Sequence, residues 1–266
     1  MALKVPTGGL SPYPWAPGTD VALSPSQSAR YARHIVLKDV GGAGQQKLSA
    51  ARVVIVGAGG LGAPVIAYLA GAGIGSLTII DPDTVAVSNL ARQVIYTRAD
   101  VGREKAVSAA RFAQALNDEI AVKAVVASLD AENVAAHLSR ADLVLEGTDS
   151  FSAKRMVATA CAALKIPLVS GALGPFDGSL TVFAPYLNRP DGTPWPSFDA
   201  LYPTDPSPED SPPCELVGVI NVLPGIVGTM MANEAIKWIA GYGDPLLGKL
   251  LVYSARTGES RIMTYR

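Results

Sequence analysis

Arg92, Lys105 and Asp149 are the residues of this chain whose types and places in the sequence bear most directly on chemistry. Asp149 follows a short apolar run, Leu143-Val144-Leu145, and Ser150 behind it can cap a helix, so Asp149 belongs at the end of a buried strand. At such a rim a carboxylate can hold Mg²⁺ together with phosphate oxygens. Lys105 falls in the first turn of a helix predicted over Glu104 to Leu116, a poor place for a cation unless an anion lies beside it. Arg92 offers a planar fork of donors suited to phosphate. Two cations and a metal-binding carboxylate around a nucleotide fit phosphate chemistry better than hydride transfer. No Ser/His/Asp grouping is evident, because neither His34 nor His137 lies near a plausible nucleophile in sequence.

The nucleotide itself is read from the run Val53-Val54-Ile55-Val56 followed by Gly57-Ala58-Gly59-Gly60-Leu61-Gly62. So short a continuous apolar run predicts a parallel strand buried on both faces. Gly57 and Gly59 permit a tight turn close to a phosphate, Gly62 lets the next helix approach the strand, and that helix aims its N-terminal amides at the anion. Asp81 ends a second run, Leu77-Thr78-Ile79-Ile80, 24 residues after Gly57, where an acid can bond ribose hydroxyls. Taken alone, the glycine run would suit an NAD(P)-dependent oxidoreductase about as well.

The elements that position these residues alternate strand and helix over the first 170 positions, which predicts a doubly wound, mostly parallel α/β sheet. Strands are expected at Ile120–Val126, Leu143–Leu145 and Pro167–Ser170, with helices at Glu104–Leu116, Ala131–Leu138 and from the Ser150 cap to Leu164. Toward the N-terminus, Ser28–Leu37 reads as a helix capped by Ser28, broken by Gly41-Gly42-Ala43-Gly44 before a short helix over Gln45–Ala50. Beyond residue 170 the pattern changes. Gly178–Ala184 alternates as an antiparallel strand does, Val222–Ala240 is a long helix with Pro224 in its first turn, and Leu250–Tyr253 with Ser260–Thr264 closes as a strand pair. Between them, residues 185–213 carry nine prolines and are expected to form an irregular crossover loop. Residues 1–27 are expected to be a flexible arm and 28–266 a single domain.

Composition narrows the classes. A net charge of -1 gives no footprint for nucleic acid, and 49% hydrophobic with 17% charged residues suits a globular protein with an apolar interface. Two cysteines, Cys161 and Cys214, are too few for a disulfide scaffold and point to a reducing, cytoplasmic setting, and no signal-peptide core occurs in Met1–Asp20. Val53–Ile80 runs 28 residues without a charge, but its seven glycines and two strand-like runs make strand-turn-helix-strand the expectation, not a membrane span.

Several linked motifs give a resemblance. Arg30-Tyr31-Ala32-Arg33-His34-Ile35, Gly57 to Gly62, Asp81-Pro82-Asp83-Thr84-Val85, Ser88-Asn89-Leu90-Ala91-Arg92-Gln93, Val101-Gly102-Arg103-Glu104-Lys105, Gly147-Thr148-Asp149, Pro167-Leu168-Val169-Ser170-Gly171 and Glu234-Ala235-Ile236-Lys237 occur in that order. With them the chain resembles the MoeB/ThiF/HesA family, bacterial relatives of ubiquitin-activating enzymes. The resemblance implies ATP- and Mg²⁺-dependent adenylylation of the C-terminal Gly-Gly carboxylate of a ubiquitin-like sulfur carrier, for molybdopterin or thiamine synthesis. It also implies nucleotide contacts from Gly57, Gly59, Gly60, Gly62, Asp81, Asp83, Asn89, Arg92, Gln93 and Lys105, and a magnesium ligand at Asp149. Arg33 would reach the nucleotide of a partner subunit in a homodimer. Cys214 matches a crossover-loop cysteine that in some members joins the carrier covalently. Departures are the zinc-binding CxxC pairs of many relatives, replaced by Pro194–Ser197 and Ser254–Thr257, and Ser150 where Asn is usual. Two cysteines cannot make a four-thiolate zinc site. An oxidoreductase and a non-catalytic nucleotide-binding dimer stay open as alternatives.

Overall fold

The structure is a computed structural model and describes residues 22–204, 206 and 217–266. Its centre is one sheet of eight strands in the order β3-β2-β1-β4-β5-β6-β7-β8. These are β1 (Arg52–Val56), β2 (Ser76–Ile80), β3 (Ala121–Val125), β4 (Leu143–Glu146), β5 (Leu168–Leu173), β6 (Asp177–Phe183), β7 (Lys249–Ser254) and β8 (Ser260–Thr264). The first five pair in parallel, and β6, β7 and β8 extend the sheet antiparallel. This is the doubly wound sheet with antiparallel additions that the alternation predicts.

Burial on both faces explains why β1 and β4 are continuous apolar runs. Val53, Ile55, Leu143 and Leu145 face a core built with α3 (Gly41–Ala50), α4 (Gly62–Ala72), α5 (Lys105–Leu116) and α9 (Val222–Ala240). Val54, Val56 and Val144 face a second core with α6 (Val134–Leu138), α7 (Phe151–Leu164) and α8 (Phe198–Leu201). Each buried Leu or Ile contributes roughly 1.5–3 kcal/mol relative to exposure, so the central strands are the most firmly held part of the chain. The uncharged run Val53–Ile80 is β1, α4 and β2, and among the described residues no helix is long and apolar enough to cross a membrane.

Three N-terminal expectations are corrected. The first helix is α1 (Pro25–Arg30), capped by Ser24 rather than Ser28. Ser24 Oγ accepts from the Gln27 amide at 3.1 Å while Gln27 Oε1 accepts from the Ser24 amide at 3.0 Å. Tyr31 interrupts the expected single helix, because its ring is buried and its hydroxyl accepts from Asn117 Nδ2, and α2 (Ala32–Ile35) follows it. The run Gly41–Gly44 does not break the chain but starts α3. A Cβ on Gly44 would lie 2.9 Å from Val40 Cγ1 and 3.5 Å from Ala240 Cβ, so glycine there serves the packing of α3 on α9. In the Pro-rich stretch, α8 interrupts the expected irregular loop, and residues 205 and 207–213 lie outside the described residues, as does the predicted arm as far as residue 21.

Gly71 near the end of α4 has the opposite character, with nothing within 4 Å of an added Cβ. Gly71→Ala is therefore expected to raise stability by about 0.5–1 kcal/mol through helix propensity alone, read as a higher thermal midpoint.

Candidate functional site

The sheet order places β1 between β2 and β4, so the chain winds outward in opposite directions from this point. The crevice above such a switch point is where open α/β sheets receive ligands. Here it has a volume of about 730 Å³, in the upper half of the ~300–1,000 Å³ range of small-molecule sites. Gly57, Gly59, Gly60, Asp81, Asp83, Asn89, Arg92, Gln93, Lys105 and Asp149 all line it.

The floor is the glycine loop. Gly57 has a φ of +92°, which only glycine adopts without strain, and its amide donates to Ile80 O at 2.8 Å. The expectation that α4 aims its own first amides at an anion is corrected: Ala63 already donates its amide to Gly59 O at 2.9 Å and Pro64 has none, so the amides of the glycine loop just ahead of the helix are the ones left for an anion. Gly62 does not line the crevice. It lies beneath, where an added Cβ would be 2.0 Å from the Gly57 carbonyl oxygen, so its role is to let helix and loop touch.

Asp81, at the tip of β2, is buried. Its Oδ2 accepts from the Ala58 amide at 2.7 Å and its Oδ1 from the Asp83 amide at 2.9 Å. Burial holds its carboxyl above the ordinary aspartate range, against the opposing pull of those two amides and of the Lys105 charge. An anion this short of water is a strong acceptor for hydroxyl donors such as those of a ribose. Lys105 begins α5, and the anion that its position required is Asp83. Lys105 Nζ donates to Asp83 Oδ2 at 2.8 Å, and the Lys105 amide donates to Asp83 O at 2.8 Å. Tyr96, which the sequence reading passed over, donates its hydroxyl to Ala58 O at 2.8 Å and so braces the glycine loop from behind.

A 3₁₀ turn over Val87–Ala91 carries the next group. Asn89 Oδ1 accepts from the Ala86 amide at 3.0 Å, which holds the turn and leaves the Asn89 amide nitrogen as a donor. Arg92 is half-buried and spends Nη1 on Ser88 O at 3.2 Å, with the rest of its fork available. Gln93 is buried, and its Oε1 has no hydrogen-bond partner among the described residues. An orphaned polar atom in the wall of a crevice is what a site shaped for a polar ligand leaves behind.

Across the switch point, Asp149 is exposed, and no other described residue bonds its carboxylate. Ser150 Oγ accepts from the Ala153 amide at 3.4 Å and caps α7 as expected. Two residues behind it were not singled out from sequence. Glu146 ends β4 fully buried, and Lys154 on α7 donates to both of its oxygens, at 3.0 and 3.1 Å. A signal was present. Lys154, Val157, Ala158 and Cys161 are the buried residues of α7, so a lysine occupies the first position of an i, i+3, i+4, i+7 apolar stripe.

Arg33 is exposed on α2 and is not brought to its own chain's crevice. Cys214 lies outside the described residues. Cys161 is core, as expected, and burial, with the nearby Glu146 charge, pushes its thiol up to about 12, which leaves it inert.

Known proteins resemble this chain in sequence and in fold. The chain is 42% identical over 246 residues to the SAMP-activating enzyme E1 of Haloferax volcanii, covering 92% of this chain and 88% of that one. It is 44% identical over 238 residues to the sulfur carrier protein adenylyltransferase of Thermus thermophilus, covering 89% and 87%. Among solved structures, that of E. coli MccB with ATP shares the fold with a TM-score of 0.76 at 22% identity, covering 88% of this chain and 71% of that one. The ThiF family pattern matches residues 31–266, and the chain belongs to the ThiF family.

Proposed function

We propose that the protein uses ATP to adenylylate the C-terminal Gly-Gly carboxylate of a ubiquitin-like sulfur carrier. The observation that carries this reading is the extent of one crevice. It holds the nucleotide-facing set, Asp81, Asn89, Arg92 and Lys105, and also a wall of small residues, Gly171, Ala172 and Ser179, on β5 and β6. The first suits a nucleoside triphosphate, and the second suits an extended peptide end that has no side chains. The names of the Haloferax and Thermus relatives support the same class of substrate.

The nucleophile needs no general base, because a C-terminal carboxylate with a pKa near ~3.5 is ionised at pH 7. Its oxygen attacks the α-phosphorus, the bond to the β-phosphate bridge breaks, and pyrophosphate leaves with the electron pair. Catalysis then consists of in-line positioning and neutralisation of charge on the phosphates. In this reading Asp81 bonds the ribose, the amides of the glycine loop meet the phosphates, and Asn89, Gln93, Arg92 and Lys105 donate to them. Asp83 holds the Lys105 ammonium at the crevice before substrate arrives. Asp149 fits a magnesium ion. Among the described residues no three His, Cys, Asp or Glu side chains gather as a metal site, so such an ion would depend on phosphate oxygens and water, as Mg²⁺ commonly does. Bound there, it would supply further neutralisation of phosphate charge.

A homodimer belongs to this reading. Arg33 is exposed and does not line its own crevice, and Val36 and Leu37, 72% and 52% exposed, lie a few residues further on. A second copy would cover that apolar surface and receive Arg33 at its nucleotide. The proposed setting is the cytoplasm, the pathway implied by the family resemblance is molybdopterin or thiamine synthesis, and no four-thiolate zinc is invoked.

Pyrophosphate exchange into ATP, measured with each candidate carrier, tests the activity. Exchange is expected only with a carrier whose Gly-Gly end is intact. A companion measurement separates this reading from an oxidoreductase. Mg²⁺-ATP at a hundred times its Kd should stabilise the fold by about 2.7 kcal/mol and raise the thermal midpoint by about 5–10 °C. Protection by NADH, with none from Mg²⁺-ATP, would refute the adenylylation reading.

A further inference from the structure

In the wall of the crevice Thr148, Lys154, Ser170 and Gly171 close over a buried carboxylate, that of Glu146. Glu146 is 0% exposed, and it is held on every side. Its Oε1 accepts from the Thr148 amide at 2.6 Å, from the Thr148 hydroxyl at 2.6 Å and from Lys154 Nζ at 3.0 Å. Its Oε2 accepts from Ser170 Oγ at 2.9 Å and from Lys154 Nζ at 3.1 Å. Lys154 Nζ also donates to Gly171 O at 2.6 Å. The ammonium thus spends its donors on three oxygens and has none left for substrate.

What these bonds join is informative. Thr148 is the residue before Asp149, on the loop leaving β4. Ser170 and Gly171 belong to β5 and to the small-residue wall of the crevice. Lys154 comes from the first turns of α7. Gly171 is gripped from its other side as well, since an added Cβ there would lie 2.4 Å from Met231 Sδ on α9. Gly147 packs under Leu61, whose Cβ would lie 2.8 Å from a Cβ added at Gly147, so the same loop rests on the glycine turn. A buried ion pair is a weak source of stability compared with apolar packing of equal volume. Its value lies in fixing relative positions.

We infer that Glu146 and Lys154 are a positioning pair that locks the Asp149 loop to the β5 wall, so that carboxylate and α-phosphorus meet at the right distance. The inference rests on the adenylylation reading. Glu146 does not line the crevice, and Lys154, which does, has its donors already bonded, so the pair acts through position; a misplacement of about 1 Å in such a geometry can lower a rate about 10²-fold.

The test uses the full chain, ATP–pyrophosphate exchange with the active carrier, and thermal unfolding with and without Mg²⁺-ATP. Glu146→Gln combined with Lys154→Met removes both charges, so no unpaired ion is buried, and the glutamine can still accept from Thr148. This variant is expected to fold, to keep its ATP protection and its KM for ATP within about threefold, and to lose about 100-fold in kcat. Glu146→Asp keeps the charge and withdraws the carboxylate by one methylene, so a comparable loss in kcat is expected there too, from a lower unfolding midpoint that Mg²⁺-ATP still raises. Lys154→Arg should restore kcat to within about tenfold of the parent. A kcat within threefold of the parent in either of the first two variants overturns the pairing, as does a loss expressed only in the KM for ATP. If the double variant fails to fold, Glu146→Asp decides alone. Absence of carrier-dependent exchange in the parent overturns the adenylylation reading itself, and the positioning role with it.

Discussion

Asp149→Ala is expected to lower carrier-dependent pyrophosphate exchange by about 10²–10³-fold, the usual consequence of removing one element of preorganised charge stabilisation. The side chain is exposed at the mouth of the crevice and no other described residue bonds it, so the fold has little to lose. The thermal midpoint without ligand should stay within about 1–2 °C of the parent, since surface changes of this kind are worth less than about 0.5 kcal/mol. Asp149→Asn separates charge from shape. It keeps the volume and one acceptor oxygen, yet it should lose nearly as much activity if the carboxylate's role is to hold a cation. Exchange within threefold of the parent in either variant would sink the metal assignment, though the nucleotide crevice would survive it.

Gly62→Ala should have the largest effect on the fold itself. The added methyl would sit 2.0 Å from the Gly57 carbonyl oxygen and 2.9 Å from its carbon, and both are backbone. Neither can turn aside as a flexible side chain could. Gly57 is held in turn by its amide bond to Ile80 O, and a Cβ at Gly57 would stand only 3.4 Å from the Gly147 backbone. Either α4 lifts from β1 or the loop tilts toward the loop after β4. Overpacking of this kind costs about 1–3 kcal/mol, and a backbone collision belongs at the upper end. The expected result is a midpoint lower by about 6–12 °C at ~3 kcal/mol, with the shift on adding Mg²⁺-ATP largely gone. A midpoint within 2 °C of the parent and undiminished protection by ATP would show that the close approach of helix and loop is not needed.

These two outcomes depend on features that the sequence displays unequally. Gly57 and Asp81 directly follow short apolar runs bounded by turn residues, and Asp149 comes a few residues after another, so their place near the strand tips could be read directly. The nature of the Lys105 anion could not. A cation at the start of a helix signals an anion, but Asp83 stands 22 residues earlier and meets it only through the turn after β2. The run Gly41–Gly44 misleads in a different way. Helix propensity counts glycine as a breaker, whereas at Gly44 the close passage of Val40 and Ala240 outweighs that local cost. The cap at Ser24 is legible as Ser-Pro-Ser-Gln, a capping box with proline at the first helical position, whereas the apolar spacing further along favours Ser28. Glu146 and Lys154 lay between these extremes. Each is a charge placed where periodicity asks for an apolar residue, and such an exception is best explained by a partner. Sequence supplies the exception, and only the fold supplies the partner.

The reversal of strand direction between β5 and β6 divides the sheet into two territories. The residues proposed to handle the triphosphate belong to the parallel side, and the wall proposed for the incoming peptide straddles the reversal, with Gly171 and Ala172 on β5 and Ser179 on β6. Selection for a new cargo can then act at the β5–β6 seam and on the antiparallel strands beyond it while the energy-yielding chemistry stays under separate constraint. Lineages of this architecture would diversify by changing clients, keeping one engine.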